Sequence, residues 1–394
     1  MKKSIVFINV VCNGSTGKIM CETAKMASKK GFDVYCFYGR GQAKSIENVH
    51  FKKIGNKIPI LFHGLIARLG YNGHGSYLAT KKLIKEIKNI NPSIIHLHNI
   101  HGYYLNIKVL FNYLKNEYNG KIIWTLHDCW AFTGHCSHFT YVNCDKWKYE
   151  CHNCPQLNCY PKEYLDTTKK EYNLKRELFT GINNLTLITP SNWLANLVKK
   201  SFLKNYEVKI VNNGIDLNVF KKTIDKEIFE KYNIPQDKKI ILGISSIWNN
   251  RKGLKDFYEL AQLIKDDTII ILVGSNIKEH HEKIILIEKT ENQQELAKLY
   301  SIATVFFNPT YEDTYPTVNL ESIACGTPVI TYNGTGSIES AQVFGTTIAK
   351  KDYNKLLDYL NHIDKIKNKD ISYNKLNSEE LFKEYIKIYE EKGE

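Results

Sequence analysis

A chain of 394 residues is too long for one ordinary hydrophobic core, and at about 150 residues per domain it divides into two or three. Its 43% apolar and 24% charged residues are those of a soluble globular protein and exclude a disordered or fibrous one. The formal net charge of +13 implies an anionic partner: nucleic acid, an acidic lipid surface or a phosphorylated substrate.

No apolar run approaches the ~18 residues needed to span a bilayer. The opening "MKKSIVFINVVC" imitates a secretory leader, but Asn9 interrupts the run and Val11 stands where a cleavage site needs a small residue. A buried first strand explains it better, and a cytoplasmic location is expected. There are ten cysteines, six of them between Cys129 and Cys159. In a reducing compartment such clustering points to metal more often than to disulfides.

In chain order, apolar runs read as strands over 4–11, 34–39, 93–100, 121–128 and 185–191. Helical patterns lie between them, at 18–30 and at 78–90, where Leu78, Leu83, Ile84 and Ile87 are expected near one face and lysines on the other. Asn212-Asn213-Gly214 marks a turn, after which the alternation restarts. Strands are expected at 238–247, 268–274, 282–289, 304–310 and 328–332, with helices at 253–265, 293–302 and 317–325. The pattern predicts an α/β protein built of two successive Rossmann-like halves. It divides as 1–214 with a Cys-rich insertion at 129–164, 215–372, and an amphipathic C-terminal helix within 373–394. The insertion lacks periodicity, and a loop that long is functional or stapled.

The glycine-rich stretch "NGSTGKI", residues 13–19, follows the first strand. It is not a P-loop, because Cys12 and Ile19 occupy the positions that need Gly and Ser or Thr. The dinucleotide fingerprint is absent as well. What remains is a strand-to-helix turn with main-chain N–H groups at a helix start, or a turn whose glycines are purely steric.

The strongest signal is "NPTYEDTYPTVNLESIACGTPVITY", residues 308–332. A loop carrying Glu312, Asp313, Thr314 and Tyr315 leads through Pro316 into a helix. The N–H groups of Thr317 and Val318 are placed there for a phosphate. Glu321, one turn on, suits a pair of vicinal hydroxyls such as those of a ribose. Upstream, "GISSIWNNRKGL" (243–254) offers Arg251 and Lys252 as cations. Alone, such a basic pair would be an ordinary solvated one.

These motifs resemble those of the retaining glycosyltransferases of family 4, near the colanic-acid-type polysaccharide branch. That family has the GT-B fold, two Rossmann-like domains facing across a cleft, with the C-terminal helix returning towards the N-terminal domain. Asp313 to Glu321 is similar to the family's E-x7-E pattern with the first acid shortened. "NNGIDLNVF" (212–220) and "TPSNWLA" (189–195) match in order. The resemblance implies that Glu321 holds the nucleotide ribose, Asp313 touches the donor sugar with Glu312 able to share the task, and Lys252 binds the diphosphate. Ile247 stands where the family has an arginine, and Arg251 would substitute. His127, at a strand end with His96, His98 and His101 nearby, matches the histidine that faces the donor sugar. Asp128 lies near the acceptor. Gly14 and Gly17 would let the main chain approach the donor, with Lys18 beside them, while Tyr315, Thr317 and Val318 complete the nucleotide site. Base contacts are expected at 290–294.

The implied donor is a UDP- or GDP-sugar, no catalytic metal is expected, and the acceptor is a saccharide that could be lipid-linked, for capsule or exopolysaccharide assembly. Cys136, Cys144, Cys151 and Cys154 would suit a structural Zn2+, with Cys159, His135 or His152 as replacements, or they are free thiols. Residues 51–75 form either a core helix or a segment lying on an anionic inner membrane surface. A zinc-containing nucleic-acid-binding protein is the rival class, but no recognition motif supports it. A phosphorylase or epimerase sharing the fold is a third.

Overall fold

The computed structural model describes residues 3–223, 225–363 and 371–391. The chain forms two units, Met1–Asn212 with Phe382–Glu394, and Asn213–Leu381. Each is a parallel α/β sheet, as the alternation of apolar runs predicts.

In the first unit the strands are β1 (Ser4–Val11), β2 (Asp33–Arg40), β3 (Val49–Lys53), β4 (Ile94–Leu97), β5 (Lys121–Thr125), β6 (Leu185–Thr189) and β7 (Val208–Ile210). Their order is β3-β2-β1-β4-β5-β6-β7. The second unit has β8 (Lys239–Ile247), β9 (Thr268–Ser275), β10 (Ile284–Ile287), β11 (Val305–Asn308), β12 (Val329–Tyr332) and β13 (Gly345–Ile348). Its order is β10-β9-β8-β11-β12-β13. In both sheets the first strand lies at the middle and the order reverses beside it. Such a switch point opens a crevice outside the carboxyl ends of the strands.

The central strands are apolar and buried because helices cover both faces. β4 and β12 are buried at every position. Three strands escape the sequence pattern: β3, β7 and β13. All are short, and β3, β7 and β13 stand at sheet edges, where side chains are half exposed and no long apolar run is needed.

Helix α1 runs from Gly14 to Lys29. It starts four residues before the predicted helix, so most of "NGSTGKI" is its first turns and the turn itself is only Cys12-Asn13. Helix α2 spans Lys57–Arg68 and α3 Tyr77–Ile90. The Cys-rich insertion is irregular as expected, with single turns at Trp130–Phe132 and Lys146–Lys148. It is held by the helix Thr168–Phe179, whose buried Lys175 Nζ donates to the carbonyls of Trp130 (2.9 Å) and Thr133 (3.0 Å) and lies 3.5 Å from the Trp130 ring centroid.

The chain ends in two short helices, Ser378–Leu381 and Lys383–Glu390. The second belongs to the first unit. Its Tyr389 hydroxyl lies 2.7 Å from Nδ1 of His96, which is buried in β4, and His96 Nε2 lies 2.8 Å from Thr125 Oγ1. No described helix is long and apolar enough to cross a membrane.

Tyr389→Phe leaves a buried imidazole nitrogen without its hydroxyl. It is expected to cost about 1–3 kcal/mol in urea unfolding of the first unit. An unchanged midpoint would show that the terminal helix is not anchored through this bond.

Candidate functional site

At the carboxyl end of β8 the chain turns sharply. The Asn249 side chain accepts from the Lys252 N–H at 3.0 Å, and Gly253 has φ +77°. A Cβ there would lie 2.4 Å from the Pro309 carbonyl, so glycine lets the β8 and β11 loops touch. Their contact puts Lys252 Nζ 2.7 Å from Asp313 Oδ2. Arg251 Nη1 donates to the Glu312 carbonyl at 3.2 Å, and its Nε lies 3.8 Å from Glu312 Oε2. Glu312 is a buried clamp, its side chain only 2% exposed. The loop is closed further by the Gly336 N–H, which donates to the Asp313 carbonyl at 3.0 Å.

The helix Thr317–Ala324 starts just beyond, with Pro316 at its N-cap and no side-chain cap. Its position is set by fully buried Asn319. Asn319 Oδ1 accepts from Asn308 Nδ2 (2.8 Å), and its Nδ2 donates to Ser337 Oγ (3.1 Å) and Ser340 Oγ (2.9 Å). The first-turn N–H groups, including those of Thr317 and Val318, are thereby aimed from a fixed point at the switch between β8 and β11. Glu321 follows one turn along and accepts from the buried Tyr300 hydroxyl at 3.1 Å, which orients the carboxylate. The Tyr315 ring is in the core, where burial pushes its hydroxyl up to about 12. It offers a ligand only main chain. Asn292 caps the helix Gln293–Ile302, in the stretch expected to meet a base.

Asp256 is a residue the sequence does not flag. It is buried and accepts from the hydroxyls of Tyr311 (2.9 Å), Tyr332 (2.5 Å) and Tyr353 (3.3 Å), fastening the β11 loop from behind. Burial raises its carboxyl above the ordinary value against those three bonds. Its partners lie far apart in the chain, so no local spacing reveals it.

In the first unit Gly14 has φ +67° with open space where a Cβ would stand. Gly17 is different: a Cβ there would lie 2.6 Å from the Cys12 carbonyl carbon. Close packing of α1 on the end of β1 demands that glycine, which is the steric explanation of the motif. Buried Asn9 ties the β1 and β4 ends together, its Oδ1 accepting from the Asn99 N–H at 3.1 Å.

The histidines form a stack. The rings of His96 and His98 lie 4.3 Å apart and those of His98 and His127 5.3 Å apart, with His98 Nδ1 3.0 Å from His127 Nε2. Burial pushes His127 down to about 4 even though Asp128 pulls it up. His101 Nε2 lies 2.9 Å from Asp128 Oδ2. Burial alone would raise Asp128, but His101 and the Trp130 N–H bring it to about 2. The His101 ring thus faces the Asp128 carboxylate beside a neutral His127.

Cys136, Cys144, Cys151 and Cys154 line one cavity of about 20 Å³ with His135 and His152. All ten cysteines are free thiols. Burial, with the neighbouring thiols adding, lifts Cys151 and Cys154 to about 11. Among the described residues no three His, Cys, Asp or Glu groups converge to hold a metal ion.

Two parallel sheets of Rossmann order, each with its flagged residues at a switch point, define a GT-B protein. Over 98% of both chains the fold matches sucrose-phosphate synthase from Thermosynechococcus elongatus (TM-score 0.69, 16% identity) and Anabaena HepE solved with UDP and glucose (TM-score 0.63, 12% identity). Residues 16–219 match the family model "Glycosyltransferase Family 4", and residues 224–380 match "Glycosyl transferases group 1". The chain belongs to glycosyltransferase family 4. It is 30% identical over 188 residues, 46% of each chain, to a putative colanic acid biosynthesis glycosyl transferase, WcaC, of Escherichia coli K12. It is 24% identical over 237 residues, 54% of this chain and 61% of the other, to a Campylobacter jejuni N,N'-diacetylbacillosaminyl-diphospho-undecaprenol alpha-1,3-N-acetylgalactosaminyltransferase. Its matches thus span about half the length of these curated relatives.

His63 and His127 sit near 4 in the folded chain, against an ordinary 6.5, and burial also lowers His96 and His98. A depressed histidine stabilises the fold fully above the unfolded value and loses that contribution as pH falls towards the folded one. For fully buried His63 this is about 3 kcal/mol. Thermal midpoints are expected to be level above pH ~7 and to fall between pH 6.5 and 4. A level profile down to pH 4.5 would show these rings already charged in the folded chain.

Proposed function

We propose that this chain is a retaining glycosyltransferase that moves a sugar from a nucleoside-diphosphate donor, a UDP- or GDP-sugar, to a saccharide acceptor. The second unit binds the donor and the first the acceptor. The observation that carries this is the group at the second switch point: Lys252 held against Asp313, the N-terminus of the helix Thr317–Ala324, and Glu321 set by Tyr300.

Breaking a sugar–phosphate bond leaves charge on the departing diphosphate. The Lys252 ammonium, the Arg251 guanidinium and the first-turn N–H groups of Thr317 and Val318 are fixed donors for it, and fixed donors need no reorganisation as charge develops. Lys252 gives one of its three N–H bonds to Asp313 and keeps two for phosphate oxygens. Asp313 then takes a donor-sugar hydroxyl and Glu321 the vicinal ribose hydroxyls. His127, neutral through the physiological range, donates or accepts at the sugar without adding charge. No protein nucleophile is assigned; attack and departure share one face of the sugar. Gly14 and, through the close packing it permits, Gly17 shape the first unit's ligand edge.

The relatives' names support a role in cell-surface polysaccharide or glycolipid assembly, with a lipid-linked acceptor met at the inner face of the cytoplasmic membrane. A structural Zn2+ at Cys136, Cys144, Cys151 and Cys154 belongs to the same proposal. The thiols line one small cavity in a segment without a sheet to support it. Zinc would draw them to coordination distance and staple the insertion.

Titration with UDP, GDP, ADP and CMP is the test. One diphosphate is expected to bind, with affinity reduced about tenfold or more by Glu321→Gln and by Lys252→Ala, each loss being that of a charge-assisted hydrogen bond. No nucleotide binding, with salt-dependent nucleic-acid binding instead, overturns the transferase. Elemental analysis of protein purified without chelator is expected to give one zinc per chain, lost in Cys151→Ser; metal-free protein of unchanged stability overturns the zinc site.

A further inference from the structure

A surface helix ordinarily turns its apolar face inward. Helix α2, "KIPILFHGLIAR", does the reverse. Ile58 (77%), Leu61 (69%), Phe62 (62%) and Leu65 (62%) are exposed, and Leu69 (47%) just beyond the helix continues the series. Spaced at i, i+3, i+4, i+7 and i+11, they make one stripe facing away from the core.

The inward face is held by a polar anchor. Buried His63 accepts the Gly73 N–H at Nε2 (3.1 Å), so its hydrogen is on Nδ1 and is given to Ser76 Oγ (3.1 Å). The Ser76 hydroxyl in turn donates to the Tyr103 carbonyl at 3.2 Å. Rolling the helix to bury the stripe would break both of the imidazole's bonds and strand it unpaired.

The stripe has a basic border. From Asn48 to Lys85 there is no Asp or Glu, while Lys52, Lys53, Lys57, Arg68, Lys81, Lys82 and Lys85 all fall there. At the N-terminal end of α2 a cavity of about 340 Å³ is lined by Lys52, Lys53, Gly55, Asn56, Leu78 and Lys82, among others. Leu78 is itself 78% exposed. Lys52 pairs with Glu86, also on the cavity wall, at 2.9 Å, and Lys53 Nζ donates to the Gly41 carbonyl at 3.2 Å. Three ammonium groups against one carboxylate leave the cavity positive.

We propose that this face docks on an anionic bilayer. Ile58, Leu61, Phe62, Leu65 and Leu69 enter the boundary between headgroups and acyl chains, and a phospholipid phosphate occupies the cavity between Lys52, Lys53 and Lys82. Its purpose rests on the lipid-linked acceptor proposed above, since such an acceptor lies in the same surface. Apolar insertion and a polybasic rim are the two signals that together give stable but reversible membrane binding. A second copy of the chain fits less well, because a twofold interface would set this basic border against its own like charges.

The test is co-sedimentation of the full chain with vesicles of phosphatidylcholine alone or with a quarter phosphatidylglycerol. The expected result is binding at least tenfold tighter to the anionic vesicles and weakened by salt. L61D/F62D should lower it tenfold or more, while K53Q/K82Q should abolish the preference for anionic lipid and leave weak binding to both vesicles. Inorganic phosphate should compete with the lysine-dependent part alone. Both variants should keep wild-type nucleotide binding and thermal midpoints, which separates loss of docking from loss of fold. Absence of vesicle binding, undiminished binding by L61D/F62D, or a dimer that L61D/F62D dissociates would each overturn the proposal. Loss of vesicle binding with nucleotide binding intact refutes this surface alone; vesicle binding without nucleotide binding refutes the donor site alone.

Discussion

A parallel sheet covered on both faces has nowhere along its strands to place a charge. Ionised groups buried there would lose their hydration with nothing in return, so the chain defers them to the loops. In both units the loops that collect them leave the carboxyl ends of the strands beside the point where strand order reverses. Asn9 ties β1 to β4 at that point in the first unit, and Asn308 with Asn319 fixes the loop and helix start after β11 in the second. These buried amides bring no chemistry of their own. They hold the turn so that Lys252, Asp313 and the helix N-terminus are fixed in place, the preorganisation on which the proposed stabilisation of a leaving group rests.

How much of this was legible in the sequence follows from the same constraint. Strands buried on both faces must be nearly all apolar, so β1, β8, β9 and β12 stand out as runs. The edge strands β3, β7 and β13 do not, because "VHFKK" and its counterparts satisfy a half-exposed position with almost any residue. Asp313, Thr317 and Glu321 stand out in the sequence as candidates because they share one loop and helix at close spacing. Tyr300 and Asp256 were not. Their partners lie on other elements, and a tyrosine that orients a carboxylate looks in sequence like any core aromatic. Gly17 shows the converse, since its motif suggests a ligand while its geometry is explained by the approach of α1 to the main chain of Cys12.

The Cys-rich insertion had to be recognised by what it lacks. With only two single turns of its own, it is tied down in part by Lys175, whose ammonium satisfies two carbonyls and covers the Trp130 ring. Burial brings that lysine down to about 8, so near neutral pH the anchor is close to its own titration. Trp130, Phe132, Phe139 and Trp147 pack the insertion into the core beside that lysine, and the Tyr172 hydroxyl donates to the Trp147 carbonyl at 3.1 Å.

Helix α2 marks the limit of amphipathic patterning as an argument. The period of its apolar residues says that one face differs from the other, and it is silent on which face meets the core. Ordinary experience assigns the apolar side inward. Here His63 holds the inward face, a buried imidazole that accepts one bond and donates another. Leaving that imidazole buried and unpaired would cost about 1–3 kcal/mol, comparable with what burying one leucine contributes. Selection can therefore keep a water-exposed apolar stripe in place by keeping one polar residue beneath it. The stripe and the basic residues around it then form the apolar and cationic surface for which an anionic bilayer is proposed as partner.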